Sequence, residues 1–299
     1  MDNFQQIFDN YINEFNSFVT EKMSPNSFYG RESNGFYSCL EAMSYSLENG
    51  GKRIRPVLVL EFCRACGGDY KKAMSFALAI EMIHTYSLIH DDLPCMDDDE
   101  MRRGKPSNHV VYGEANALLA GDGLLTLAFE ELMNADLSAD KKVEACKVLS
   151  QSAGFSGMIA GQVMDLDNEN KNVSLDVLKA TDLRKTGELI KAACFLGCIA
   201  AGANEDKKKA AVIYSENIGL AFQIVDDILD VTSSEEILGK PVGSDYENQK
   251  STYVSQLGLE EAQRYADMLT NEAIFALEQF GNEGLFLKEL AEVLSARKN

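Results

Sequence analysis

The stretch EANALLAGDGLLTLAFEELM, residues 114–133, decides the fold class of this chain. It has too few polar positions to give a helix a solvent-facing side, so it predicts a helix that is buried on most of its circumference. Residues 73–90 show the same pattern, and in residues 4–15 apolar side chains recur at steps of three and four, as in an amphipathic helix. We therefore predict a single all-α domain over residues 1–299, with about ten to thirteen helices. Further helical periods cover residues 32–47, 139–153, 174–203, 206–230, 258–280 and 284–296.

The composition excludes several classes of partner and location. With 28 Lys and Arg against 47 Asp and Glu, the chain carries a formal charge of −19, which disfavours nucleic acid and anionic membranes as partners. The N-terminal residues lack the features of a signal peptide, and the longest apolar run, 192–203, is too short to span a bilayer. The seven cysteines are an odd number and include one isolated C-x-x-C, which favours a reducing compartment. The sequence thus predicts a cytoplasmic protein.

A dense acidic cluster lies in HDDLPCMDDDEMRRGKPS, residues 90–107. On a straight helix Asp91 and Asp97 would point about 120° apart, but Pro94 disrupts a helix between them. The chain can therefore bulge and return Asp97 toward Asp91 and Asp92. Carboxylates without a set of histidine or cysteine ligands are the donors that Mg²⁺ prefers.

A second acidic cluster lies in FQIVDDILD, residues 222–230. Asp226 and Asp230 fall about 40° apart on one helical face, and Asp227 flanks them. One such cluster alone is typical of a solvated acidic surface. Two of them, each ending an apolar helix and followed by basic residues, indicate sites for divalent cations. Only three histidines exist and none forms an H-x-x-x-H pair, so zinc catalysis is disfavoured.

Basic residues accompany both acidic clusters. GGKRIRP, residues 50–56, places cations at the start of a helix, where free amides and the macrodipole also favour anions. We interpret Arg53 in this segment as a surface cation. His84 lies seven residues before Asp91 and on nearly the same face, which fits either a phosphate contact or a core histidine. Together the cations indicate two polyphosphate sites. In one, metal ions would link the phosphate to the acidic residues; in the other, arginine and lysine side chains would bind the phosphate directly.

Seven segments, taken in order, resemble the motifs of trans-isoprenyl diphosphate synthases, and most closely those of bacterial farnesyl diphosphate synthases. The resemblance extends from about residue 35 to the C-terminus. It implies a single bundle of mostly antiparallel helices around a deep central cavity, the isoprenoid synthase fold, and a homodimer. The segments are GGKRIRP, EMIHTYSLIHDDLPCMDDDEMRRGKPSNH, LLAGDGLL, GQVMDL, RKTGELI, AFQIVDDILD and STYVSQLGL.

The resemblance also implies a role for each matching residue. The cofactor would be Mg²⁺, with about three ions per site that Mn²⁺ can replace. The implied metal ligands are Asp91, Asp97 and Asp226, with Asp92 and Asp230 as secondary partners. The isopentenyl diphosphate site would comprise Lys52, Arg55, His84 and Arg103. The allylic diphosphate site would comprise Arg102, Lys185, Thr186, Gln223 and Lys240. All of the allylic-site residues except Lys240 would also assist catalysis. Gln162 and Asp165 would support the metal and arginine shell.

The implied activity is condensation of isopentenyl diphosphate with allylic diphosphates to give farnesyl diphosphate. Tyr86, five residues before Asp91, would close the floor of the hydrocarbon cavity, and Ser87 would leave room beside the diphosphate; alternatively Tyr86 is ordinary core packing. Three other functions stay open: a geranylgeranyl diphosphate synthase, a terpene cyclase, and a non-catalytic subunit of a heteromeric synthase. Two intact acidic motifs disfavour the last two.

Overall fold

The computed structural model describes residues 2–28, 30, 35–232 and 251–296, and this part of the chain is helical almost throughout. Its strands are confined to a short hairpin that pairs Met101–Arg102 (β1) with Lys105–Pro106 (β2). The all-α class is therefore confirmed. The α-helices are α1 Asp2–Lys22, α2 Phe36–Leu47, α3 Ile54–Ala65, α4 Met74–Asp91, α5 Asn108–Tyr112, α6 Glu114–Asn134, α7 Ala139–Ala153, α8 Met158–Asn168, α9 Leu175–Asp182, α10 Glu188–Ala201, α11 Glu205–Thr232, α12 Tyr253–Leu257, α13 Leu259–Ala276 and α14 Leu285–Ser295.

Shorter helical segments join some of these helices. Leu183–Gly187 forms a π-helical turn between α9 and α10, and 3₁₀ segments cover Pro25–Phe28, Tyr70–Ala73 and Leu277–Gly284. All seven cysteines are free thiols. Among the described residues no helix is both long enough and apolar enough to cross a membrane.

The chain packs as two compact units. The first comprises Met1–Leu60 and Tyr70–Cys146, and the second comprises Glu61–Asp69 and Lys147–Asn299. Each unit carries part of the predicted site. The single domain over residues 1–299 stays a prediction.

Helix α4 is the central, buried helix of the first unit. As predicted, it is buried on most of its circumference, and Phe76 and Ile80 have no exposed surface. It packs closely against α6 because Gly121 has no side chain: a Cβ there would lie 2.1 Å from Nε2 of His90. That ring nitrogen lies 3.0 Å from the carbonyl oxygen of Leu118. The end of α4, which carries the first acidic cluster, is thereby fixed against α6.

Helix α6 differs from the prediction on one side. Its small residues face α4, and Ala117, Gly121 and Leu124 are buried. The opposite side exposes Leu118 and Leu119, which retain 47% and 57% of their accessible surface. The prediction that α6 is buried on most of its circumference was therefore wrong for the single chain. Only the side that carries the small residues packs against α4, and the other side stays exposed.

The second unit is built around α11. This helix packs against α10 and α13, and Leu220, Ile224 and Ile228 join one apolar cluster with residues of α13. The continuous helix predicted over residues 174–203 is instead divided into α9, the π-helical turn and α10. Such turns are rare and often lie at functional sites.

Candidate active site

Residues 50–55, which we call the basic loop, comprise the segment before α3 and the first two residues of that helix, and lie in the first unit. Gly50 and Gly51 have φ angles of +63° and +102°, a region that residues with a Cβ rarely adopt. Gly51 also leaves space, since a Cβ there would lie 2.6 Å from Cζ of Arg103. The guanidinium of Arg103 donates from Nη1 to the carbonyl of Gly50 at 2.8 Å. The two glycines thus shape the loop to receive Arg103, while Lys52 is exposed.

Arg53 is not a surface cation, so that interpretation was wrong. Its side chain is buried, with 3% of its surface exposed. Nη1 donates to Oε1 of Glu81 at 2.8 Å, and Nε donates to Oδ1 of Asn16 at 3.1 Å. The sequence did hold a signal for this contact, because Glu81 is a lone acid in an otherwise apolar stretch of α4.

Burial and the surrounding arginines together control the protonation of His84. Burial, followed by the charges of Arg55 and Arg103, holds the pKa of His84 well below its usual range, so the imidazole is neutral at physiological pH. Burial also lowers the pKa of Arg55 and of Arg103. Nε of Arg55 is buried and finds no hydrogen-bond partner among the described residues. This cluster of crowded cations with an unpaired donor suits an anion.

The first acidic cluster follows the end of α4. The amide of Asp97 donates to the carbonyl of Asp91 at 2.8 Å, and the amide of Asp98 donates to the carbonyl of Leu93 at 3.2 Å. The return of the chain predicted from Pro94 is therefore confirmed. Asp97 is exposed, and Asp91 is half-buried.

Asp92 and Arg102 face each other. Nε of Arg102 donates to Oδ1 of Asp92 at 2.8 Å, Nη2 contacts the same oxygen, and Nη2 also donates to Oδ2 of Asp99 at 2.9 Å. Burial raises the pKa of Asp92, and the Arg102 guanidinium opposes that shift. The pair ties the acidic turn to the β1–β2 hairpin. The metal role of Asp92 and the diphosphate role of Arg102 stay predictions.

Tyr86 and Ser87 lie one turn or more before Asp91 on α4. Tyr86 is buried, and its ring meets that of His90 edge-on, with centroids 5.7 Å apart. Burial and then the charge of Asp91 raise the pKa of Tyr86 to about 12, so its hydroxyl stays protonated. The Ser87 hydroxyl donates to the carbonyl of His84 at 2.9 Å.

In the second unit, α8 positions the π-helical turn. Nζ of Lys185 lies 2.7 Å from Oδ2 of Asp165 on α8. The contact depends on Gly161, because a Cβ there would lie 2.1 Å from the backbone nitrogen of Lys185. Sequence reasoning named Asp165 but missed Gly161, whose role depends on a close approach of two backbones.

Replacing Gly161 with alanine should therefore destabilise the protein by at least ~2 kcal/mol and displace Lys185, because a backbone atom cannot yield to the new methyl group. Gly187→Ala is the matched control, since its Cβ would meet nothing nearer than 3.6 Å. Chemical denaturation of both variants checks the prediction. Equal stabilities for the two variants would contradict it.

Thr186, Gln223 and the second acidic cluster also lie in this unit. The hydroxyl of Thr186 donates to Oε1 of Gln223 on α11 at 3.2 Å. Asp226 lies one turn beyond Gln223 on α11, while Asp227 accepts the amide of Tyr253 at 2.7 Å. Asp230 of the second cluster is buried. Nε2 of Gln162 is also buried and has no hydrogen-bond partner among the described residues. Lys240 lies outside the described residues.

Asp182 is a titratable group of this site that sequence reasoning missed. Burial raises its pKa to about 7; the charge of Asp165 adds to the shift, and Lys185 opposes it. A carboxyl group whose pKa is raised on folding costs stability as the pH rises above the group's ordinary pKa, and this loss is complete once the pH has passed about 7.

Asp182→Asn should therefore raise the Tm relative to wild type more at about pH 8.5 than at about pH 5.5, because asparagine cannot ionise. Differential scanning fluorimetry without substrate or metal measures this difference. Asp176→Asn, an exposed acid on α9, serves as the control. A Tm difference for Asp182→Asn that is independent of pH would rule the effect out.

The carboxylates of each unit are donors that would suit Mg²⁺ together with substrate oxygens. Mg²⁺ usually takes one or two carboxylates and fills its remaining positions with phosphate oxygens and water. Within the parts of the chain that the structure describes, no three His, Cys, Asp or Glu side chains converge to hold a metal by themselves. Asp91 and Asp97 in the first unit and Asp226 in the second supply oxygen donors of the required type.

Known proteins resemble this chain over most of its length. Residues 37–282 match the family described as Polyprenyl synthetase. A farnesyl diphosphate synthase of Bacillus subtilis (strain 168) is 46% identical over 263 residues, which cover 87% of this chain and 89% of that protein. A geranylgeranyl diphosphate synthase of Cyanophora paradoxa is 45% identical over 262 residues, 87% of each. A geranyltransferase structure from Helicobacter pylori, complexed with magnesium and isoprenyl diphosphate, has a TM-score of 0.82 at 38% identity and covers 97% of this chain and 95% of its own.

Proposed function

The chain belongs to the polyprenyl synthetase family, and from that premise we propose that it joins isopentenyl diphosphate to dimethylallyl and geranyl diphosphates and releases farnesyl diphosphate. Family membership makes it a prenyltransferase. The observation that carries the proposal is the cation cluster of Arg55, Arg103 and neutral His84 in the unit that also holds the first acidic turn. That cluster suits a diphosphate bound without metal.

The reaction begins when the allylic C–O bond breaks and its electron pair leaves with the diphosphate. Bound at Asp91, Asp97 and Asp226, with Asp92 and Asp230 as secondary partners, about three Mg²⁺ ions, or Mn²⁺ in their place, would supply Lewis-acid stabilisation of that diphosphate. The allylic diphosphate would also accept hydrogen bonds from Lys185, Lys240 and Arg102.

The residues of the second unit would then stabilise the carbocation. Thr186 and Gln223 already share a hydrogen bond, so their oxygen dipoles can face a positive charge without attacking it. The alkene of isopentenyl diphosphate attacks the allylic carbon, and the departing diphosphate takes the proton that is lost. His84 is neutral and surrounded by arginines, which favours phosphate binding over general-base catalysis.

Product length separates the proposal from its main alternative. Relatives named as farnesyl and as geranylgeranyl diphosphate synthases are about equally similar to this chain. A geranylgeranyl product is the second candidate for that reason. Buried Tyr86, below Asp91 on α4, favours the C15 product because its ring can close the cavity floor.

A homodimer in the cytoplasm is the proposed form of the enzyme. The side of α6 that exposes Leu118 and Leu119 also exposes Met133, and Val110 and Val111 of neighbouring α5 are exposed as well. Rows of exposed apolar side chains are typical of subunit interfaces. The formal charge of −19 argues against nucleic acid or anionic membranes as partners.

Incubation of the purified protein with radiolabelled isopentenyl diphosphate, Mg²⁺ and either allylic starter tests the proposal directly. We expect a labelled C15 diphosphate from both starters. A C20 product would support the second candidate, and failure to incorporate label would point to a non-catalytic subunit.

The two diphosphate sites should respond to different substitutions. Arg55→Ala and Arg103→Ala should mainly raise the KM for isopentenyl diphosphate, and Lys185→Ala should mainly impair the allylic substrate and its ionisation. Loss of one charge-assisted phosphate contact should cost roughly 1.5–3 kcal/mol of binding. Steady-state kinetics with each substrate varied in turn measures this. Equal effects of the three changes on both KM values would argue against separate sites.

A further inference from the structure

We propose that Arg53 and Glu81 are positioning residues for isopentenyl diphosphate: as a buried ion pair they fix the basic loop, so that Lys52, Arg55 and Arg103 are held ready for one diphosphate. This inference rests on the proposed function.

Arg53 is fully occupied by the protein itself. Besides its bonds to Asn16 on α1 and Glu81 on α4, Nη2 donates to the carbonyl of Leu47 at the end of α2, at 2.8 Å. The guanidinium also lies 5.6 Å from the centroid of the Phe15 ring. Each of its three nitrogens has an acceptor, so Arg53 holds three helices together and has little capacity left for a ligand.

The backbone at Arg53 needs these contacts. Its φ angle is +50°, in the left-handed region that is unfavourable for a residue with a Cβ. Such a conformation persists where surrounding contacts over-determine it. Gly50 and Gly51 precede it with positive φ angles, and Arg103 is bound to this same loop through the carbonyl of Gly50. A change in the conformation at Arg53 would therefore displace the carbonyl group of Gly50 that binds Arg103.

Glu81 is the carboxylate that balances part of the positive charge of the arginine cluster. Its side chain is 2% exposed, and Nη1 of Arg53 lies 2.8 Å from its Oε1. Burial lowers the pKa of both Arg55 and Arg103, and the charge of Glu81 acts against that lowering. Glu81 thus offsets part of the repulsion between the arginines, and the diphosphate of a ligand would offset the rest.

A second ion pair of the same unit provides a matched control. Oε1 of Glu131 on α6 lies 3.1 Å from Nζ of Lys22 on α1 and accepts the hydroxyl of Ser75 on α4 at 2.7 Å. Like Glu81, Glu131 is a buried carboxylate that pairs with a basic side chain, and from α6 it links α1 to α4. Unlike Glu81, it forms no hydrogen bond or ion pair with the basic loop in the part of the chain that the structure describes.

The experiment compares Arg53→Lys, Glu81→Gln and Glu131→Gln by steady-state kinetics and thermal unfolding. Glu81→Gln should raise the KM for isopentenyl diphosphate at least ~10-fold, with kcat and the allylic KM within about 3-fold of wild type. Arg53→Lys keeps the charge but not the three-way contact, so it should raise the same KM by a smaller factor. Glu131→Gln should lower the Tm but leave that KM unchanged.

A milder variant covers the case in which Glu81→Gln fails to fold. Asn16→Ala removes only the acceptor of Nε and should raise the KM for isopentenyl diphosphate about 3-fold with little change in Tm. An unchanged KM in Asn16→Ala, an equal rise of both substrates' KM in Glu81→Gln, or a matching rise in Glu131→Gln would each overturn the positioning role.

Failure of the proposed function would look different. If the wild type turns over isopentenyl diphosphate and only the expected KM shifts are missing, the positioning role alone is wrong. If the wild type shows no turnover, the proposed function is wrong, and calorimetric titration of inorganic diphosphate into the same variants tests the role by itself. Weaker binding in Glu81→Gln than in Glu131→Gln would then support the pair, and equal binding would overturn it.

Discussion

Asp97→Asn should lower kcat at least ~100-fold, because the leaving diphosphate would lose the electrostatic stabilisation that a metal ion held by this carboxylate provides. Asp97 is exposed, and its amide donates to the carbonyl of Asp91, which holds this turn near the end of α4. Asp91→Ala in the first unit and Asp226→Ala in the second should each cause a loss of similar size. Steady-state assays at saturating substrate and varied Mg²⁺ measure these effects.

Asp98→Asn is the matched control for this change. Asp98 is the adjacent exposed acid, and its φ angle of +53° is one that asparagine tolerates well. The substitution removes the same charge from the same turn, so kcat should stay within about 3-fold of wild type if position rather than net charge matters. Activity should also disappear in excess EDTA and return with Mg²⁺ or Mn²⁺. Full turnover in EDTA, or equal losses in Asp97→Asn and Asp98→Asn, would refute the metal role.

Tyr86→Ala should shift the product from C15 to C20 or longer, while the requirement for metal stays unchanged. Tyr86 lies five residues before Asp91, about 7.5 Å along the helix at a rise of 1.5 Å per residue. A hydrocarbon that extends from the metal-bound diphosphate along α4 would meet this buried ring. Truncation to alanine opens space of the size that further prenyl units need. Chromatography of the dephosphorylated products measures the chain length.

Two further variants separate the ring from its alternatives. Tyr86→Phe keeps the ring and should still give C15, because the role lies in volume rather than in the hydroxyl group. Tyr11→Ala removes another buried tyrosine of the first unit, which packs against Tyr70, and should lower stability without changing the product. A Tyr86→Ala enzyme that still stops at C15, or a wild type that already makes mostly C20, would show that Tyr86 is not the floor.

Much of the fold could be predicted because helical periodicity is local. The apolar pattern placed α7 over residues 139–153, as the structure has it, and it placed α4 and α11 to within two residues at either end. It missed α8, whose residues 158–168 carry GQVMDL. The division of residues 174–203 at Leu183–Gly187 was also missed, since a π-helical turn differs from an α-helix by one hydrogen-bond step rather than by composition.

The sequence by itself determined the all-α class, the type of chemistry and the turn of the first acidic cluster. Each depends on residues near one another in the chain: periodic apolar positions, oxygen and guanidinium groups in short motifs, and Pro94 between Asp91 and Asp97. Only the tertiary structure decided that Arg53 is buried, since its partner Asn16 is 37 residues away and Glu81 is 28 residues away. It likewise decided that Gly161 must lack a side chain beside Lys185 and that one side of α6 stays exposed. Burial and close backbone approach arise from contacts between distant segments, so a local signal such as the lone acid Glu81 in α4 shows that a partner exists but not which segment supplies it.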